Sequence, residues 1–234
     1  MKDIHGQAIK DYYRGEESPL LLYNSYGEPE EMPVEVFFRD EHDFTYLEHL
    51  AISACEGKIL DLGAGAGTHS LFLQALGYDV EAVDNSLGCA TIMRDQGIKN
   101  VIHDNYQNIT KKYDTILMLM NGIGIAGKLN NIPELIEKCF NMLEPDGKII
   151  FDSSDITYLY DSETPRPEHY YGEIRYQYEY KGEKSNWFDW VYVDSGKIQE
   201  ICNRMNLSCE ILTKGDDDQY LGCITKTKMA IANV

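Results

Sequence analysis

The 234-residue chain contains no run of about 18 apolar residues, so its sequence predicts no transmembrane helix. The opening stretch MKDIHGQAIKDYYRGEE lacks the apolar core of a signal peptide. The six cysteines, Cys55, Cys89, Cys139, Cys202, Cys209 and Cys223, form no CxxC pair. Scattered thiols without an export signal read as reduced and mostly buried, which leads us to expect a cytoplasmic protein. Neither the cysteines nor the six histidines cluster at ligand spacing, so no metal site is expected. Basic residues are also scarce: 21 Lys and Arg stand against 39 Asp and Glu, a net charge of −18. A field of that sign repels phosphate backbones and anionic membrane surfaces, so neither nucleic acid nor a membrane is expected as a partner. No internal repeat or low-complexity tract is visible. What is present is a globular composition, 43% hydrophobic and 26% charged, in a chain long enough to bury one large core.

Residues 1–35 are polar and aromatic, and Pro19, Pro29 and Pro33 break any long helix. Residues 40–55 space Phe44, Leu47, Leu50 and Ala51 at helical intervals, with Gly57 as a stop. The pattern then alternates. Strands are expected at 58–63, 79–85, 100–104, 113–121 and 148–154, and helices at 68–77, 87–97 and 132–147, the last with Pro133 in its first turn. Such alternation predicts a parallel sheet covered on both faces, and right-handed crossovers make it doubly wound. After 155 the period changes. Ile174, Tyr176, Tyr178 and Tyr180 alternate with polar residues, as do Phe188, Trp190 and Tyr192, around a turn at 181–184. That is the period of an antiparallel hairpin with one aromatic face. A helix at 195–206 and strands at 207–214 and 219–227, joined by Gly215-Asp216-Asp217-Asp218, complete the chain.

The most informative stretch is ILDLGAGAGTHS, residues 59–70, between a strand and a helix. Gly63, Gly65 and Gly67 let the backbone turn sharply and approach a ligand with no Cβ in the way. The helix beginning near Thr68 aims its free N–H groups and positive dipole end at the same place, which suits a nucleotide or a carboxylate. The dinucleotide fingerprint G-x-G-x-x-G would place its third glycine at Thr68; the spacing here is G-x-G-x-G. With Asp61 two residues ahead of the first glycine, D-L-G-A-G-A-G resembles the first motif of the class I S-adenosylmethionine-dependent methyltransferases, a Rossmann-like family. The resemblance covers residues 57–155 closely and the C-terminal third by pattern.

It implies an α/β fold with a doubly wound seven-stranded, mostly parallel sheet and an antiparallel last strand, S-adenosylmethionine as cofactor, and methyl transfer as activity. Residues 57–155 and 194–234 would form the S-adenosylmethionine-binding domain, 1–56 an N-terminal lid or helical region, and 156–193 an aromatic hairpin insertion. Carried over by position, Asp61 lies near the methionyl ammonium, and Gly63, Ala64, Gly65 and Gly67 form the turn beneath the cofactor. Asp84 offers two carboxylate oxygens to the two ribose hydroxyls. Asn85 lies beside the adenine, Asp104 accepts from its exocyclic amine, and Asn105 adds a backbone N–H. Met120 and Asn121 end the fourth strand beside the methyl donor. All of them sit at the carboxyl ends of strands, where open α/β sheets bind ligands.

Methyl transfer from a sulfonium is an in-line displacement with a neutral leaving group, so alignment and water exclusion matter more than any universal catalytic residue. Asp152 and Asp155 are candidates for a general base, each with a capping or solvated role as its alternative. His69, in the first turn of a helix, is a third candidate beside an ordinary packing role. Family members that methylate exocyclic amines of nucleic acids or glutamine amides carry prolines after the Asn of the fourth strand. Here Asn121-Gly122-Ile123-Gly124 has glycines, which either leave room for a substrate or end the strand. The acceptor expected from the charge is a small molecule. The tyrosine hairpin either caps its pocket, with Tyr12, Tyr13, Tyr23 and Tyr26 completing the lid, or forms core or a homodimer interface. Two other functions stay open: a nicotinamide-dependent oxidoreductase, because Asp84 lies about 20 residues beyond the glycines, and a non-catalytic cofactor-binding regulatory module.

Overall fold

Several strands end on a local stop: the strand that ends at Met32 stops before Pro33, the one that ends at Leu62 before the left-handed Gly63, and the one that ends at Tyr180 before the left-handed Lys181. The computed structural model describes residues 2–215 and 218–227. Asp216 and Asp217 of the expected turn, and residues 228–234 of the expected domain, lie outside the described residues. Among the described residues the chain runs α1 (Ile4–Tyr13), β1 (Leu20–Asn24), β2 (Glu30–Met32), α2 (Tyr46–Ser53), β3 (Lys58–Leu62), α3 (Thr68–Ala75), β4 (Asp79–Asp84), α4 (Leu87–Asp95), β5 (Val101–His103) and β6 (Tyr113–Met118). It continues through α5 (Ile132–Asn141), β7 (Leu143–Ser154), β8 (Glu173–Tyr180), β9 (Glu183–Lys184), β10 (Phe188–Val191), α6 (Ser195–Arg204), β11 (Leu207–Lys214) and β12 (Gln219–Lys226).

The described residues form a seven-stranded sheet in the order β11-β12-β7-β6-β3-β4-β5. The pairs β3–β4, β3–β6, β4–β5 and β6–β7 are parallel, and β12 is antiparallel to both its neighbours. This is the doubly wound α/β sheet with an antiparallel last strand that the alternation and the motif predict. Its two faces read directly off successive residues. Leu60, Ile116, Ile149 and Phe151 pack with Leu135 and Ile136 of α5 and Ile198 of α6. Their neighbours Ile59, Leu117, Ile150 and Leu221 pack with Leu47 and Ile52 of α2 and Leu73 of α3. Strands buried on both faces must be apolar throughout, which is why β3 and β6 show no alternation in sequence.

Two expected boundaries move. The helix expected over 132–147 ends at Asn141, and Leu143 already pairs with Tyr113. The register then jumps to Thr115–Lys148, so Glu144–Gly147 bulges from the strand rather than ending a helix. Pro145 has no N–H to give either structure, and a Cβ on Gly147 would lie 3.0 Å from the Asp114 carbonyl oxygen. The strand expected over 113–121 stops at Met118, because Met120 and Asn121 both take left-handed backbone, φ 61° and 57°.

A second, five-stranded sheet has the order β10-β8-β1-β2, with β9 on β8. β8 and β10 are the expected hairpin, with Phe188 opposite Tyr176 and Trp190 opposite Ile174. β1 and β2 come from the first 56 residues, and Leu20–Asn24 pairs with Tyr180–Tyr176. Residues 1–56 therefore hold the two α-helices α1 and α2 and two strands, and the strands share a sheet with the insertion.

The helix α1 lies on α4 at a point where both carry glycine. A Cβ on Gly88 would sit 2.2 Å from the Gly6 carbonyl oxygen. Beside this contact Asp3 caps α1, accepting from the Gly6 N–H at 3.0 Å. Its second oxygen accepts from the Ser86 hydroxyl and the Gly88 N–H, each at 2.8 Å. One carboxylate thus satisfies the first turns of two helices. Gly88→Ala is expected to cost roughly 1–3 kcal/mol, the scale of overpacking without room to yield. Hydrogen exchange should rise across residues 4–13 and leave β3 and β6 protected. Unchanged protection of α1 would show that the contact yields.

Candidate active site

The glycine turn is built from hydrogen bonds that only its conformation permits. Gly63, Gly65 and Gly67 have φ of 79°, 57° and 91°. The Gly63 and Ala64 N–H groups donate to the Val83 carbonyl at 2.9 and 3.1 Å, which ties the turn to the end of β4. The Gly65 N–H donates to Asp84 Oδ2 at 3.0 Å. A Cβ on Gly65 would lie 3.3 Å from the Phe37 ring, whereas one on Gly67 would strike Ile98 at 2.2 Å. Gly67 is therefore a packing glycine at the start of α3, and Gly63, Ala64 and Gly65 border open space.

That space is a cleft of about 730 Å³ at the carboxyl ends of β3, β4 and β6. Asp61, Gly63, Ala64, Gly65, Asp84, Asn85, Asp104, Asn105 and Met120 all line it, so nine of the eleven positions inferred from the resemblance share one cavity. Burial pushes the Asp61 carboxyl up, against the charge of His69 and the donors of Ser70. The Ser70 hydroxyl donates to it at 2.6 Å. Burial likewise pushes Asp84 up to about 6, although it accepts from the Ser86 N–H at 2.8 Å as well as from Gly65. Asp104 is exposed at the cleft mouth and accepts from the Asn108 amide and the Asn105 N–H, which hold its carboxyl below the ordinary range.

The roof comes from segments that carry no recognisable motif. His5 at the start of α1 and Phe37 line the cleft, and so do Tyr178, Phe188 and Trp190 of the second sheet. His5 stacks on Tyr178 at 5.1 Å and meets the edge of Phe37 at 5.0 Å. Burial lowers its pKa to about 4, so the ring is neutral, and its Nε2 has no hydrogen-bond partner among the described residues.

A second cavity of about 750 Å³ lies on the other side of residues 120–122. Met120 and Gly122 face the cleft, and Asn121 faces this cavity, together with Ser154 at the end of β7 and the hairpin tyrosines Tyr176 and Tyr192. Asn121 thus departs from the place inferred for it. Left-handed backbone at 120 and 121 reverses the alternation a strand would have kept, and the Ser154 hydroxyl holds the Asn121 carbonyl at 2.9 Å.

The three candidates for proton transfer have other employment. Asp152 borders neither space; its buried carboxylate accepts from the Asn121 N–H at 2.7 Å, and burial pushes it up to about 7 despite that bond. Asp155 caps the turn Ile156–Leu159, accepting from the Thr157 N–H and from the Tyr171 hydroxyl at 2.8 Å. His69 does line the cleft, with its Nε2 2.8 Å from Glu48 Oε1. Burial would raise Glu48, but His69, the Thr45 N–H and Arg39 hold it down to about 2. Of the four N-terminal tyrosines expected in the lid, only Tyr26 borders a described cavity. Tyr12 and Tyr13 stack on Phe38, and Lys184 covers the Tyr23 ring.

Residues 33–159 match the model of a family described as tellurite resistance protein TehB. The structure of an S-adenosylmethionine-dependent methyltransferase from Bacteroides fragilis, in complex with S-adenosylhomocysteine, is 36% identical and superimposes with a TM-score of 0.90, covering 97% of this chain and 96% of that one. Glycine/sarcosine N-methyltransferase of Aphanothece halophytica is 21% identical over 183 residues, 68% of this chain and 69% of that protein. A probable S-adenosyl-L-methionine-dependent methyltransferase TehB of Haemophilus influenzae is 33% identical over 95 residues, 36% of this chain and 32% of that protein. These relatives favour neither a nicotinamide oxidoreductase nor a non-catalytic module. Since the match to the family model spans more than half of its length, and a methyltransferase matches nearly all of it, the chain belongs to the TehB family and is an S-adenosylmethionine-dependent methyltransferase.

Proposed function

We propose that the chain methylates a small-molecule acceptor seated in the tyrosine-lined cavity, with S-adenosylmethionine in the glycine-turn cleft. The observation that carries this reading is adjacency: residues 120–122 border both spaces, Met120 and Gly122 the cleft and Asn121 the cavity, so an acceptor in one meets a donor in the other at this edge. Bound there, S-adenosylmethionine supplies an activated methyl group on a sulfonium. The residues present suit that ligand. Asp84 has two carboxylate oxygens and spends one bond of each on a backbone N–H, which leaves lone pairs for the ribose hydroxyls. Asp61 has one oxygen bonded to Ser70 and one left for the methionyl ammonium, whose charge would bring the raised carboxyl back down. Gly65 leaves the space a Cβ would fill, and the unpartnered Nε2 of His5 is a polar atom in need of a ligand.

None of the three candidate bases lines the acceptor cavity, so alignment and water exclusion are the work of the chain. Asp152 acts through the wall, as a positioning residue: its carboxylate holds the Asn121 N–H and thereby the left-handed turn. The unpaired cysteines suit a reducing compartment, and we assign the reaction to the cytoplasm on that ground. Among the described residues no helix is long and apolar enough to cross a membrane.

Isothermal titration with S-adenosylhomocysteine tests the cleft. Micromolar affinity is expected at pH 8, and Asp84→Ala should weaken it by roughly 1–3 kcal/mol. The ligand's hydroxyls need the ionised carboxylate, so affinity should fall as pH drops through about 6. Asp84→Asn should flatten that dependence and raise the melting temperature of the free protein above pH 6, where the wild type keeps a buried charge. Wild-type affinity constant from pH 5 to 8 would remove Asp84 from the ribose site.

The wall has its own test. Asp152→Ala should lower kcat for the acceptor at least tenfold and leave S-adenosylhomocysteine affinity within threefold. Asp152→Asn keeps an oxygen for the Asn121 N–H and should recover most of the loss. Because the Asp152 carboxyl is raised from 3.8 to about 7, wild-type stability declines as pH rises across that interval. The buried charge costs on the order of 4 kcal/mol above pH 7, so Asp152→Asn should be the more stable protein there. If Asn and Ala variants are equally slow, the bond to the wall is not what Asp152 contributes.

A further inference from the structure

Of the three side chains weighed as bases, only His69 lines the cleft. It stands in the first turn of α3, directly after the glycine turn, and is 5% exposed. Its ring is fixed from behind. Nε2 lies 2.8 Å from Glu48 Oε1, and Phe44 packs on the ring at 5.1 Å. Glu48 is held ionised: Arg39 donates to both of its oxygens, at 2.8 and 3.3 Å, and the Thr45 N–H donates to Oε2 at 2.8 Å. A carboxylate in that state only accepts, so the Nε2 facing it carries a hydrogen. In the neutral ring this leaves Nδ1 with its lone pair. Nδ1 has no hydrogen-bond partner among the described residues and, unlike the His5 Nε2, is not sealed off from solvent. The space it opens on is the cleft. A nearly buried acceptor without a donor is a group that a ligand satisfies. A second acceptor stands close by, because the Ser70 hydroxyl, one residue further along α3, donates to Asp61 at 2.6 Å, and Asp61 lines the same cleft.

We propose that His69 is a cofactor-binding residue whose Nδ1 accepts a hydrogen bond from the α-ammonium of S-adenosylmethionine, beside Asp61, with Glu48 orienting the ring. The inference rests on the placing of the cofactor in the glycine-turn cleft. An alkylammonium has three N–H donors and no acceptor, so a single carboxylate does not satisfy it. Asp61 takes one N–H and His69 a second. The lone pair also discriminates between the two ends of the methionyl group. It suits the ammonium, and it would meet the carboxylate as acceptor against acceptor. Arg39 and Glu48 border neither described space, yet they belong to the site, because they decide which nitrogen of His69 carries the hydrogen.

Four ligands separate the ends of the methionyl group: S-adenosylhomocysteine, its analogue without the carboxyl group (an aminopropyl thioether of adenosine), its analogue without the amino group (the carboxypropyl thioether), and methylthioadenosine, which has neither. In calorimetric titrations at pH 8, His69→Phe should weaken S-adenosylhomocysteine and the aminopropyl analogue at least tenfold and the other two less than threefold. His69→Asn puts an amide oxygen near the place of Nδ1 and should bind all four within threefold of wild type. Nitrogen-15 spectra of the wild-type histidine side chains should show His69 protonated at Nε2 alone. Its Nδ1 signal should move when the aminopropyl analogue is added and stay in place with methylthioadenosine. The proposal is overturned if the loss in His69→Phe follows the carboxypropyl analogue, which would make the ring a carboxylate-binding imidazolium. It is also overturned if the loss is equal for all four ligands, which is a packing role, or if Nδ1 carries a hydrogen in the free protein. Should His69→Phe fail to fold, the wild-type spectra and the Asn variant decide by the same criteria. Wild-type protein that binds neither S-adenosylhomocysteine nor methylthioadenosine would instead refute the placing of the cofactor in the cleft.

Discussion

The wall between the cleft and the cavity is made of backbone that ordinary residues avoid. Two consecutive non-glycine residues, Met120 and Asn121, hold φ near +60° at the end of a buried strand. Strain of this kind costs on the order of 1–3 kcal/mol at each position and persists only where surrounding bonds impose it. The bonds are present: Asp152 accepts from the Asn121 N–H, and the Ser154 hydroxyl holds the Asn121 side chain. Glycine would relieve the strain at either site but would remove the side chain that faces each space. A continued strand would keep the side chains and send them to the wrong sides. The turn is the arrangement that gives one residue to each cavity across a single peptide unit, and it requires a carboxylate in the core to hold it.

The roof follows a different logic. Tyr176, Tyr178, Phe188 and Trp190 share one face of the second sheet, because they occupy alternate positions on β8 and opposed positions on β10. That single face spans both spaces, with Tyr178, Phe188 and Trp190 over the cleft and Tyr176 over the cavity. The sheet is completed by β1 from the other end of the chain, so a closed roof needs contacts more than 150 residues apart. It is attached to the rest of the fold at both ends: at the Gly6–Gly88 approach and the Asp3 carboxylate on one side, and on the other by Trp190 packed on Gly124, by Val191 and Val193 in the main core, and by the Leu129 N–H donating to Glu173.

Which parts could be read from residues alone divides along the same line. The parallel sheet was legible because strands buried on both faces need continuous apolar runs and because Gly77 and Gly97 end the crossover helices α3 and α4. Asp61, Asp84 and Asp104 were legible because a strand's carboxyl end is a position counted from those runs. Asn121 lines the tyrosine cavity rather than the cleft, and nothing in Leu-Met-Asn marks the left-handed pair that turns it there. Pro145-Asp146-Gly147 looks like a helix stop and is a bulge, and local chemistry does not distinguish the two. His5, Phe37 and Glu30, which line the two spaces, carry no sequence signal. Each is a single residue in a segment whose partner lies far along the chain, so no spacing points to it.

The placement of charge is consistent with a cationic ligand and a charge-neutralising reaction. Asp61 and Asp84 line the cleft, where a cation and a pair of hydroxyls could be held. The two residues that the wall turns toward the cleft, Met120 and Gly122, are uncharged. A carboxylate at that point would favour the sulfonium over a transition state in which its charge is spreading, and so would slow transfer. Asp152, whose carboxylate accepts from the Asn121 N–H, lines neither space and is buried, with its pKa raised to about 7. Binding charge thus lines the cleft while turn-holding charge is buried outside both spaces, which lets an acidic protein hold a cation without pinning it in its ground state.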